Sequence, residues 1–198
     1  MTELVLVKHA PPEITRDVVA SRWVLSEEGR RRCDWLADEL KTKGVSRLYS
    51  SLEPKALETA ALVAVRIGLT VAPWLNLHEN DRTGFGFQEL DELRQRLHEF
   101  FERPGQLTIG NETADGAFER FAEAIAEILS RSQGRNSAIV THGTVLSLFV
   151  ARHNAIRPFD LWERLGMPSY VALDAASFSF DGQVQNYPAR YRAGSVAG

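Results

Sequence analysis

The segment Leu4-Val5-Leu6-Val7-Lys8-His9-Ala10 is apolar at four successive positions and then ends in a lysine and a histidine, just before Pro11-Pro12. A strand with one wet face alternates apolar and polar residues, whereas one that is apolar throughout is buried on both faces, as in a sheet covered by helices. Outward from this run the pattern repeats. Val45 to Tyr49, Leu69 to Leu75 and Ser137 to Thr141 read as further strands, and helical stretches lie between them. Ser26-Glu27-Glu28-Gly29 opens the first helix, with Cys33, Leu36 and Leu40 on one face and a stop at Lys41-Thr42-Lys43-Gly44. Ser50-x-x-Glu53 has the form of a capping box before Pro54, and the helix it would open runs to Ile67 and closes at Gly68. Phe118, Phe121, Ile125 and Ile128 mark another helix, and Gly143 to Arg152 a further one.

Strands alternating with helices predict a three-layer α/β/α sandwich around a mostly parallel sheet, in one domain over residues 1–198. Residues 76–111 break the rhythm. They hold a polar loop (His78 to Arg82), a Gly84-Phe85-Gly86-Phe87 stretch and an amphipathic helix with Leu90, Leu93, Leu97 and Phe100 on one side. This segment reads as a small helical insertion that caps the site. Tyr170–Leu173 and Phe178–Phe180, with Asp181-Gly182 as turn, have the pattern of a final hairpin, and 188–198 reads as a flexible tail.

The composition excludes several classes. Of 198 residues, 44% are hydrophobic and 25% charged, with 23 Lys+Arg against 26 Asp+Glu. A net charge of −3 argues against a dedicated nucleic-acid or anionic-membrane binder, and Arg30-Arg31-Arg32 reads as a solvated helix face. No apolar run approaches the ~20 residues needed to span a bilayer. Cys33 is the only cysteine, so no intrachain disulfide is possible and a cytoplasmic setting is expected. No nucleic-acid or membrane partner is expected, and the oligomeric state is left open.

Ligands of open α/β sheets collect beyond the carboxyl ends of the strands. Here Lys8 and His9 follow the first strand. Ser50, Ser51 and Lys55 follow the second, and His142 and Gly143 follow the strand at 137–141. Two histidines, two lysines and two helix N-termini at one edge would attract an anion. Each feature also has a bland explanation. Lys55 sits near the positive end of a helix dipole, where Glu53 and Glu58 suffice to neutralise it. A lone histidine at a strand end is more often a hydrogen-bonded boundary residue. His78, His98 and His153 lack the strand-end context. A metal site from His9, His78, Glu79 and His142 lacks the spacings that identify zinc ligands.

Taken together, the local sequences resemble the histidine phosphatase superfamily, the phosphoglycerate mutase-like proteins. Val7-Lys8-His9-Ala10 is similar to its "RHG" opening, and Leu25 to Arg30 to its "LTxxGxxQA" stretch. Tyr49 to Ala60 is similar to "SSPLxRAxxTA", and Val140-Thr141-His142-Gly143 to "VSHG", with Leu77-His78-Glu79 where the family places its acid. The resemblance runs from about Leu4 to Ala151. It implies a phosphoglycerate mutase-like fold with His9 as nucleophile, His142, Gly143, Lys8 and Lys55 as phosphate ligands, and Glu79 as proton donor and acceptor. Asp81 is the runner-up acid, and Glu13 a distant third. The implied activity is metal-independent, cofactor-free hydrolysis of a small phosphorylated substrate through a phosphohistidine. Alternatives are a weak or inactive relative that binds phosphorylated ligands and, behind it, a mutase.

Two departures stand out. Lysine occupies both positions where the family has arginine, and a point charge does not grip phosphate as a two-pronged guanidinium does. The family's early asparagine motif is also not evident, leaving Arg16, Ser21 or Arg22 as candidates for its contact.

Overall fold

Strand β1 (Glu3–Lys8) shows why its run is apolar at every position. Side chains alternate across a strand. Leu4 and Leu6 enter one core cluster and Val5 and Val7 another, all four fully buried. In a computed structural model, which describes residues 2–189 and 191, β1 pairs parallel with β4 (Ser137–Thr141) and antiparallel with β5 (Ser169–Asp174). β4 pairs parallel with β2 (Arg47–Ser50), and β2 with the short β3 (Val71–Pro73). β6 (Gln185–Asn186) lies antiparallel to β5, which gives the order β3-β2-β4-β1-β5-β6.

Helices α1 (Glu27–Thr42) and α2 (Pro54–Ile67) cover the face of Val5 and Val7. The opposite face is covered by α3 (Leu90–Glu102), α4 (Ala114–Ser132), α5 (Gly143–His153) and α6 (Pro158–Arg164). The result is the three-layer α/β/α arrangement. Leu97, Phe100 and Phe101 of α3 join the same core as Leu4, Leu6 and Ile139, so the 76–111 segment is anchored within the outer layer. No helix among the described residues is long and apolar enough to cross a membrane.

Some local expectations are corrected. The capping box at Ser50 does not form. Ser50 is still the last residue of β2 and its Oγ donates to the Ser51 carbonyl, while Glu53 stands at the N-cap without capping through its side chain. The third strand shrinks to Val71–Pro73 because it lies at the sheet edge, where Leu75 is exposed. The final hairpin is reduced to a single bridge between Leu173 and Phe180. β5 matches six residues of β1 along its opposite edge, and Asp174 turns the chain by accepting the Ala176 and Ser177 N–H groups. The turn at Asp181-Gly182 therefore leads into β6. Of the 188–198 stretch, Pro188, Ala189 and Tyr191 are described; residues 190 and 192–198 lie outside the described residues. Tyr191 donates its hydroxyl to Asp38 of α1.

Candidate active site

The parallel register of β1 and β4 sets Lys8 beside Thr141, so the next residues, His9 and His142, emerge side by side. The His9 N–H donates to the Thr141 carbonyl at 3.1 Å, and the two imidazole centroids lie 5.3 Å apart, edge to face. On the other side of β4, the Ser51 N–H donates to the Val140 carbonyl at 2.9 Å. The Thr141 hydroxyl donates to the Leu77 carbonyl at 2.7 Å and draws in the segment that carries Glu79. Three strand ends separated in sequence thus converge on one spot.

His9 is buried, and its Nδ1 lies 2.8 Å from the Ala10 carbonyl. A carbonyl oxygen only accepts, so Nδ1 carries the hydrogen and Nε2 keeps its lone pair when the ring is neutral. Burial, the neighbouring His142 and the charge of Lys55 hold the His9 pKa well below the ordinary value, so the ring is neutral at pH 7. No protein group among the described residues hydrogen-bonds Nε2, which leaves a basic nitrogen free. His142 is fully buried and likewise held neutral, by burial and then by Lys55. Its Nε2 lies 3.0 Å from Ser51 Oγ, and its buried Nδ1 has no hydrogen-bond partner among the described residues.

The lysines reach the histidines from opposite layers. Lys8 shares the face of Leu4 and Leu6. Its ammonium donates to the Leu165 carbonyl at 2.8 Å and lies 5.8 Å from the Trp162 ring centre. Burial pushes its pKa down to about 8, and the charge of Glu79 limits the fall. Gly143 admits this packing, since a Cβ there would lie 3.3 Å from both Lys8 Cε and the Trp162 ring. Lys55 comes from α2 and is only 5% exposed. It donates to Glu53 Oε2 at 2.5 Å and to the Ala20 carbonyl at 2.7 Å. Glu58, the other neutraliser foreseen for Lys55, pairs with Arg30 instead.

Glu79 accepts the N–H groups of Thr144 and Val145 at 3.2 and 3.3 Å, so it fills the N-terminus of α5. Burial raises its pKa, but Arg82, His142 and the N–H groups of Thr144 and Asn80 outweigh this and hold it below the usual carboxylate value. The α2 N-terminus is engaged as well, with the Lys55 N–H donating to the Trp23 carbonyl. The two helix ends are therefore less open to an incoming anion than the sequence implied, because protein groups already use them. Asp81 does not reach the histidines through any hydrogen bond; it accepts from Thr83 and Asn111 and pins its own loop. Glu13 is exposed.

Residues 4–185 match the family model of the histidine phosphatase superfamily, branch 1. The chain belongs to that superfamily. It is 29% identical over 134 residues to phosphoglycerate mutase-like protein 4 of Arabidopsis thaliana, a match covering 62% of this chain and 56% of the plant protein. The chain thus spans little more than half the length of that relative. Among solved structures it resembles Bacillus stearothermophilus YhfR (24% identity, TM-score 0.72, covering 91% and 96% of the two chains). It also resembles a mycobacterial glucosyl-3-phosphoglycerate phosphatase (20% identity, TM-score 0.70, covering 88% and 90%). A third likeness is to a phosphoserine phosphatase from Entamoeba histolytica (16% identity, TM-score 0.70, covering 88% and 91%).

In this superfamily member the site departs in its supporting cast from what the sequence predicts. None of the candidates for the missing asparagine contact enters the site. Arg16 pairs with Glu89 over the Phe87 ring, and Ser21 and Arg22 are exposed. The residue that does enter is Glu53, which the sequence offers only as a capping-box acid and a neutraliser of Lys55. Arg120 escaped the sequence reading altogether. Its guanidinium donates to the carbonyls of Asn76, His78 and Glu79 and pairs with Glu112, which in turn accepts the Asp81 N–H. That clamp fixes the loop bearing Glu79. Its only sequence signal was an arginine on the helix after the loop, and no local pattern ties the two together.

Proposed function

We propose that this chain is a metal-independent phosphomonoester hydrolase that works through a phosphohistidine on His9. Membership in the superfamily supports phosphatase- or mutase-type activity. The observation that carries the finer reading is the His9 tautomer: a neutral ring with Nδ1–H tied to Ala10 and Nε2 free. In the first step the Nε2 lone pair forms the N–P bond as the ester P–O bond breaks, and the leaving oxygen takes a proton from Glu79. In the second step water attacks phosphorus, Glu79 takes its proton, and phosphate leaves with His9 restored. His142, Lys8, Lys55 and the Gly143 N–H would surround the phosphoryl oxygens, where transition-state charge must be stabilised. Glu79 rests ionised, which suits the second step; the charge of an arriving phosphate, close by, favours the protonated form required for the first.

The substrate class we propose is a small phosphorylated metabolite, in keeping with the glucosyl-3-phosphoglycerate and phosphoserine phosphatases among the structural neighbours. Arg94 and Arg96 pair with Glu163 and Glu92 at the surface, so Arg82 is the cation of the 76–111 segment that acts on Glu79. A pocket so sparsely charged supports hydrolysis over the retention and return transfer a mutase requires. A cytoplasmic setting is in keeping with Cys33 as a buried free thiol. The lysines at both positions where the family has arginine favour a second reading, a weak or inactive relative that binds phosphorylated ligands as a sensor or scaffold.

The test is rapid-quench labelling with a phosphomonoester in the presence and absence of EDTA. Acid-labile phosphate on His9, with turnover that survives chelation and vanishes in His9→Ala, is the expected result. Tight ligand binding without label or turnover would establish the sensor, and loss of turnover on chelation would refute the metal-independent reading.

A further inference from the structure

Glu53 occupies a position at which an acid ordinarily has a local task. At a helix N-cap a carboxylate accepts an N–H of the first turn. Here Pro54 removes one of those donors, the Lys55 N–H goes to the Trp23 carbonyl, and the Glu53 side chain makes no capping bond. It turns into the active site instead and is 9% exposed. Its oxygens meet three groups of the anion site. Oε2 takes the Lys55 ammonium at 2.5 Å, while Oε1 accepts the Glu79 N–H at 2.9 Å and lies 3.6 Å from His142 Nε2. With both histidines neutral, the two site lysines face two site carboxylates.

We propose that Glu53 is a built-in competitor for the phosphate position, a carboxylate that holds Lys55 and that a phosphoryl group must displace to gain the lysine's grip. This rests on the reading that the pocket receives phosphate. Glu53 then sets how tightly any phosphate-bearing ligand is held. Free phosphate, which has no organic part to add contacts, is penalised most. Product leaves readily, and substrates must supply binding through the rest of the molecule. The carboxylate and a phosphate oxygen compete for the same ammonium, and like charges confined in a buried site repel strongly.

The experiment is calorimetric titration of inorganic phosphate into the wild-type protein and into the Glu53→Gln, Glu53→Leu, Lys55→Met and Glu53→Gln/Lys55→Met variants. Thermal melts confirm that each is folded. Gln keeps an acceptor for the Glu79 N–H and Leu keeps volume, so each removes the charge in a different way. At least tenfold tighter phosphate binding is expected in either folded variant, a gain that damaged packing does not produce. Lys55→Met should weaken binding much more in the Glu53→Gln background than in the wild type, because only there is the ammonium free for phosphate. Wild-type binding that Glu53→Gln and Glu53→Leu leave unchanged or weaken would overturn the role of Glu53. A wild-type protein and charge-removed variants that all fail to bind phosphate would overturn the phosphate site itself.

Discussion

Replacing Lys8 by arginine should erase an alkaline limb from the pH profile of the proposed phosphatase activity. In the native site burial lowers the Lys8 pKa from 10.5 to about 8. At about 1.4 kcal/mol per unit, this shift corresponds to about 3 kcal/mol against the charged form. The free enzyme therefore loses this charge as pH rises through 8, a range in which a phosphomonoester is already a dianion. A charged hydrogen bond contributes about 1.5–3 kcal/mol. On that scale kcat/KM should fall about tenfold per pH unit above 8 and level off at a loss of roughly 100-fold, since kcat/KM reports the free enzyme. Arginine remains charged throughout, so Lys8→Arg should be flat from pH 7 to 10 even if its absolute activity differs. Stability gives an independent check. A native pKa below the unfolded value means that the unfolded chain binds the proton more strongly, so this lysine's penalty is full below pH 8 and disappears as pH rises towards 10.5. The stability difference between wild type and Lys8→Met should therefore shift in favour of wild type by up to about 3 kcal/mol across that window. An identical alkaline limb in Lys8→Arg would refute the assignment of the limb to Lys8, and a wild-type profile flat to pH 10 would refute the lowered pKa of its ammonium.

The role of Glu79 predicts a contrast between substrates. Glu79→Gln should slow alkyl phosphates by about 100-fold or more and p-nitrophenyl phosphate far less in the phosphorylation step, because a good leaving group needs little protonation. Equal rates for both ester classes in variant and wild type would remove Glu79 from the mechanism. Gly29 in the first turn of α1 has a purely structural role. A Cβ there would lie 2.1 Å from the Pro11 carbonyl oxygen, the same oxygen that accepts from Ser26 N–H and Oγ–H. Gly29→Ala should cost about 1–3 kcal/mol despite the roughly 1 kcal/mol that alanine gains in helices, and lower the melting temperature by several degrees. An unchanged melting temperature would show that the Pro11 backbone yields freely.

The sequence alone determined the architecture and the placing of two histidines at neighbouring strand ends. Burial on both faces is written into Leu4–Val7 residue by residue, and a chemically loaded residue directly after an apolar strand falls at the sheet edge wherever the strand sits. Lys8, His9 and His142 were legible for that reason, Lys55 because a cation sits unusually at a helix N-terminus, and Ser26 for the local rules of helix starts. Short-range pattern failed where the partner strand lay beyond the nearest turn. β5 takes β1 along one edge, and along the other it meets Phe180 only by a single bridge before Gln185–Asn186 pairs with Ser169–Tyr170. Tertiary structure alone decided the order β2-β4-β1, which brings Ser51 and His142 within hydrogen-bond reach although they lie far apart in the chain. It also decided that Arg120 clamps the Glu79 loop and that Glu53 faces inward to hold Lys55. Contacts between segments depend on how whole layers pack, and the charge of a side chain does not say which buried partner it will meet. A sequence can therefore name the ions of this site, but only the fold pairs them.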